Sequence, residues 1–150
     1  MEQVLQGRCL CGAVRYQCHG RPLSVTYCYC KTCQLASGAP VYLGALYPAG
    51  AVRWQGSTTA YRSSALGLRH FCGQCGSTLF YECTDGSGRV EITIPTLETP
   101  AVLRPDCHEW TSSAIPWFHL DDDLPRYPQA RRTTDALPVP LCQTRIPDCR

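Results

Sequence analysis

Apolar and polar residues alternate at period two along residues 13–18, Ala-Val-Arg-Tyr-Gln-Cys. The alternation recurs, less regularly, over residues 39–46, 58–62, 68–71, 77–82 and 89–94. Period two places successive side chains on opposite faces, as in a strand with one face buried. The pattern therefore predicts a mostly β chain. Turn-forming residues separate the runs: Gly20, Pro22, Pro48, Gly50, Gly56, Gly67, Gly86, Gly88, Pro95 and Pro100. Only residues 31–37 read as a helix, with Gly38 placed to end it. A second short helical piece is expected near residues 97–102. Periodicity fades from Gln129, where Pro128, Pro138, Pro140 and Pro147 break up the chain. This predicts one domain over residues 1–128 and a tail over 129–150 outside the core. Cys142 and Cys149 read as incidental thiols, and Arg131-Arg132 as solvated surface.

A chain of 150 residues fits one domain. No run approaches the roughly 18 uncharged apolar residues of a membrane span. The start, Met1-Glu-Gln-Val-Leu-Gln-Gly-Arg8, lacks the basic and apolar regions of a signal peptide. The expectation is a cytoplasmic protein without membrane contact. In that reducing compartment, dense cysteine means metal more often than disulfide.

Cysteine changes the picture most. Seven of the twelve cysteines fall into three clusters: Cys9 and Cys11, Cys28, Cys30 and Cys33, and Cys72 and Cys75. Cys9 and Cys11, if on a strand, face the same side. Cys72-Gly-Gln-Cys75-Gly is a knuckle in which Gly73 and Gly76 can take positive φ. The two pairs together offer four thiolates to one structural zinc. A redox C-x-x-C is the alternative, but its expected βαβ surroundings are missing. The triplet supplies three ligands from six residues. Either a fourth position stays open for chemistry, or a distant residue closes it. The candidates to close it are His70, Cys83, Cys107, His108 and His119. The expected cofactor is thus zinc, two per chain.

The formal net charge is +2 with thiols counted neutral, and Lys31 is the single lysine. Seven thiolates and two divalent ions would leave the loaded chain near neutral. That argues against a nucleic-acid partner.

Four ordered motifs carry a family resemblance: residues 7–16 (Gly-Arg-Cys-Leu-Cys-Gly-Ala-Val-Arg-Tyr), residues 28–38 (Cys-Tyr-Cys-Lys-Thr-Cys-Gln-Leu-Ala-Ser-Gly), residues 71–77 (Phe-Cys-Gly-Gln-Cys-Gly-Ser), and Arg104-Pro-Asp-Cys-His108 followed by Trp117 and residues 123–127. Over residues 7–127 the chain resembles the glutathione-dependent formaldehyde-activating enzymes, also called centromere-protein-V-like domains. The resemblance implies an Mss4-like β-tent with few short helices. It implies that Cys9, Cys11, Cys72 and Cys75 hold a structural zinc and that Cys28, Cys30 and Cys33 hold a catalytic one. The implied activity joins glutathione to formaldehyde, a carbon–sulfur lyase reaction, with a small thiol and an aldehyde as partners. Tyr29 stands where the family often has histidine.

On an open three-thiolate zinc, delivery of a thiolate to an aldehyde is favoured over activation of water, because three thiolates weaken the ion as a Lewis acid. His108 is the candidate proton carrier. Trp117 and Tyr29 are candidate pocket walls. The rival reading is a non-catalytic, zinc-stabilised protein-interaction module, which a closed second site would favour.

Overall fold

The computed structural model describes residues 3–131. The chain is mostly β, with one α-helix and several single 3-10 turns. One sheet has three antiparallel strands in the order β1 (Val4–Arg8), β2 (Arg15–His19), β5 (Val52–Gln55). The other has seven. From edge to edge they are β10 (Cys107–Glu109), β3 (Ser24–Cys28), β4 (Tyr42–Pro48), β9 (Arg89–Thr93), β8 (Thr78–Cys83), β7 (Gly67–Cys72) and β6 (Thr58–Ser64). Neighbours are antiparallel except β10, which runs parallel to β3.

The core lies between the sheets. Leu5, Tyr16, Cys18 and Val52 of the small sheet meet Val25, Ala45, Tyr47, Leu79, Phe80, Val90 and Ile92 of the large one. Alternation on β1 and β2 turns every second residue inward, as the sequence pattern requires. Tyr16 meets Phe80 edge-on, with ring centroids 5.1 Å apart. Each such buried side chain contributes about 1.5–3 kcal/mol. The Tyr16 ring lies across its strand partner Gly7, where a Cβ would overlap it. Tyr81 covers Gly67 in the same way.

All six predicted strand runs contain a strand, shifted by a few residues at their ends. The helix occupies Lys31–Ser37 (α1), and Gly38 ends it in the left-handed conformation at φ 65°. The short helical piece expected near residues 97–102 is present as a single 3-10 turn, shorter than that range. Single 3-10 turns occupy Ile94–Thr96 and Pro100–Val102, while Leu97 between them is extended. Strands β1, β3, β5 and β10 are additional to those the pattern marks.

Packing continues past residue 128. Arg131, expected on the solvated surface, is buried. Its N–H donates to Glu109 Oε1 at 3.3 Å and its Nη1 lies 3.6 Å from Cys107 Sγ. Trp110 N–H donates to the Gln129 carbonyl at 3.2 Å. Arg132, Cys142 and Cys149 lie outside the described residues. A chain ending at Pro128 is expected to be less stable than one ending at Arg131 by about 1–3 kcal/mol, since buried partners lose their hydrogen bonds. Thermal melts of the two truncations check this; equal midpoints would contradict it.

Candidate metal and active site

Cys9 and Cys11 sit in the turn after β1 rather than on a strand. Their shared direction comes from the turn itself: Cys9 N–H donates to Val14 O at 3.0 Å, and Gly12 N–H to Cys9 O at 3.1 Å. Gly12 permits this at φ 80°. Cys72 and Cys75 occupy the turn between β7 and β8, closed by Gly76 N–H to Cys72 O at 2.8 Å with Gly76 at φ 74°. Ser77 ties the turns together, accepting from Leu10 N–H at 3.0 Å while its hydroxyl lies 3.2 Å from Cys75 Sγ. That hydroxyl is the first cause holding the Cys75 thiol down to about 5. All four sulfurs lie within 4.8 Å of one another. Two separations are 3.5 Å (Cys9 to Cys11) and 3.7 Å (Cys11 to Cys72). Tetrahedral zinc with bonds of about 2.3 Å separates its sulfurs by about 3.8 Å, so the cage fits the ion.

The second cluster is built from a strand end, a helix cap and a helical turn. β3 ends at Cys28. Cys30 caps α1, its sulfur accepting from Cys33 N–H at 3.3 Å. Cys33 follows in the first turn. The three sulfurs lie within 4.8 Å of one another. Their neighbours drive the acidities apart. Bonds from Cys28 and then Cys33 hold the Cys30 thiol far below the ordinary range. Contacts with Cys30 and Cys33, together with burial, push Cys28 well up. Three crowded thiols cannot all ionise unless a cation joins them, so the cluster fits a metal ion. The ten described cysteines form no disulfide.

Among the described residues, no histidine, cysteine or carboxylate outside the triplet joins it at ligand distance. His70 bonds Thr58 at 3.0 Å and Glu82 at 2.9 Å. Cys107 is occupied by Arg131. His119 is exposed. Cys83 lines the same pocket as the triplet without joining it.

That pocket, about 80 Å³, lies on the face of the large sheet turned away from the core. Strand register explains it. Ser24, Leu46, Glu91, Tyr81 and Arg69 form one row straight across β3, β4, β9, β8 and β7. All five line the pocket. Their strand neighbours Val25, Ala45, Val90, Ile92 and Phe80 point into the core. Arg69 Nη2 reaches Cys33 Sγ at 3.6 Å and Thr32 Oγ1 at 3.3 Å, and its guanidinium lies 4.9 Å from the centre of the Tyr81 ring. Burial, and then the Glu109 carboxylate, push Glu91 up to about 8, although Arg69 pulls it the other way. Burial also raises Glu109. Trp110 completes the wall; it is the one non-glycine residue among those described with positive φ, at 59°.

Three expected site residues lie elsewhere. His108 alternates with Cys107 and Glu109, so it points to the opposite face of β10. It is fully buried, with Nδ1 2.9 Å from Tyr29 Oη and Nε2 2.9 Å from Asp122. Tyr29 is buried against it, away from the pocket lining, and Trp117 is 75 % exposed. Sequence reasoning passed over Arg69, Glu91, Glu109 and Trp110. The available signal was a charged residue inside a strand run, such as Glu91 between Val90 and Ile92.

The model of a family described as glutathione-dependent formaldehyde-activating enzyme matches residues 4–113. A protein of Schizosaccharomyces pombe named as an uncharacterised lyase is 28 % identical over 127 residues, covering 78 % of this chain and 92 % of its own. A putative glutathione-dependent formaldehyde-activating enzyme of Halomonas elongata is 33 % identical over 88 residues, 51 % of this chain and 55 % of its own. A crystal structure of a Rhodobacter sphaeroides protein shares the fold at TM-score 0.52 and 23 % identity, over 62 % of this chain and 87 % of that one. With the family match spanning most of the chain and both cysteine groups assembled, the chain belongs to the glutathione-dependent formaldehyde-activating enzyme family.

Proposed function

We propose that this chain joins a thiol to a small aldehyde, with glutathione and formaldehyde as the reference pair. Cys28, Cys30 and Cys33 would hold the zinc at which the thiol and aldehyde meet. Cys9, Cys11, Cys72 and Cys75 would hold a second zinc that is structural. One observation carries the reading: the triplet gathers three sulfurs, with no fourth ligand among the described residues, and opens into a pocket.

A zinc ion held there would take an incoming thiol in its one open position and favour its thiolate form. The chain supplies the rest. Cys28 and Cys30 flank the pocket, so a thiol and an aldehyde entering it are held together, which replaces a bimolecular encounter. Leu46, Tyr81 and Trp110 keep part of the wall dry. The Arg69 guanidinium offsets negative charge at Cys33. In the addition a sulfur–carbon bond forms, the carbonyl becomes an alcohol, and the thiol proton ends on oxygen. The reverse step is the lyase direction. A cavity of about 80 Å³ has room for a small aldehyde and a thiol head, while the body of glutathione would lie outside it.

Exchange NMR of isotopically labelled formaldehyde with glutathione, and separately with 2-mercaptoethanol, tests the reading. Catalytic protein should accelerate exchange above the thiol-only rate, and chelation should abolish the gain. Exchange at the background rate with both thiols would overturn it. Acceleration with 2-mercaptoethanol alone would keep the chemistry and remove glutathione.

A further inference from the structure

We propose that the Glu91 carboxyl carries the proton of this reaction, giving it to the aldehyde oxygen as the sulfur–carbon bond forms and regaining one from the next thiol. The proposal rests on the thiol-addition reading above and adds the residue that handles its proton.

Placement is the first argument. Glu91 belongs to the pocket row Ser24, Leu46, Glu91, Tyr81, Arg69. One step along the strands, the next row holds Thr26 and Gly44; the one after it holds Cys28 and Tyr42. The Glu91 carboxyl leans over Gly44, where a Cβ would overlap Oε1. It therefore points from its own row toward the row that ends in Cys28. Glycine at 44 is what opens this path.

Availability is the second. Among the described residues, burial and charge alone act on Glu91, with no hydrogen bond, whereas Glu109 accepts from Arg131 N–H at 3.3 Å. Glu91 is thus free to bond a ligand. The titratable and charged groups around it are Tyr81, its register partner on β8, Glu109 from β10, Arg69 from β7, Tyr42 from β4, and Cys30 before α1. Burial and Glu109 keep the carboxyl protonated at neutral pH, up to about 8. A neutral carboxyl is the form that can donate. By contrast, His108 points away from the pocket.

The steps balance. Sulfur attacks the carbonyl carbon, the C=O π electrons move to oxygen, and that oxygen takes the Glu91 proton. The carboxylate left behind takes the S–H proton of the next thiol as it enters. Nothing is oxidised or reduced.

Glu91→Gln keeps the shape and removes the proton. In the exchange measurement with zinc-loaded protein, its kcat should fall roughly 100-fold. The parent rate should fall as pH rises through about 8, and the variant should lack that limb. Gly44→Ala keeps the carboxyl but must displace it, so it too should lose rate. Glu91→Asp should recover part of it. If Glu91→Gln does not fold, Gly44→Ala and Glu91→Asp decide. Full rate and an unchanged alkaline limb in the folded variants would overturn the proposal while leaving thiol addition standing. No acceleration by the parent protein would remove both.

Discussion

Cys72→Ser should abolish the cooperative melting transition and leave zinc-poor, aggregating chain. The cage it breaks joins the β1–β2 turn of the small sheet to the β7–β8 turn of the large one. Cys11 and Cys72 are far apart in sequence, so few local contacts replace the link. A structural zinc contributes on the order of 10 kcal/mol to small metallo-domains. Whole domains are stable by only about 5–15 kcal/mol. Cys72 is also almost fully buried, so a serine hydroxyl there would be desolvated. Circular-dichroism melting and metal content check this. A sharp transition near the parent midpoint would contradict it.

Cys30→Ser should do the opposite, keeping the fold and removing activity. Serine is a strong helix cap, so it can replace the sulfur that now accepts from Cys33 N–H. α1 and Gln34, whose amide donates to Tyr29 O at 2.8 Å and Ser113 O at 2.9 Å, should stay in place. What would be lost is one of the three proposed zinc ligands. Zinc should drop from about two to about one per chain, with exchange at the thiol-only rate and a nearly unchanged melt. Equal unfolding of Cys30→Ser and Cys72→Ser would make the triplet structural and favour a protein-interaction module.

These contrasts rest on a grouping legible in the sequence. Seven cysteines divide into four and three by spacing, and the sulfurs of each group come within 4.8 Å. The α1 boundaries were legible because Gly38 marks the stop. β3 and β10 were harder. Ser24–Cys28 and Cys107–Glu109 are short and have nearly every residue at least half-buried, so neither shows period two. The pocket was hardest. Its row is assembled by register across five strands, and no local pattern reports which residues become neighbours. His108 attracted attention as a histidine beside a cysteine, yet alternation on β10 turns it away while bringing Glu109 to the pocket.

The central claim is that Cys28, Cys30 and Cys33 leave one metal position for a substrate thiol. Cobalt substitution reads it directly through thiolate-to-metal absorption. The account predicts that adding glutathione or 2-mercaptoethanol to cobalt-loaded protein intensifies this absorption saturably, and that Cys30→Ser protein shows no such change. An absorption unmoved by either thiol, with a protein side chain in the fourth position, would contradict it.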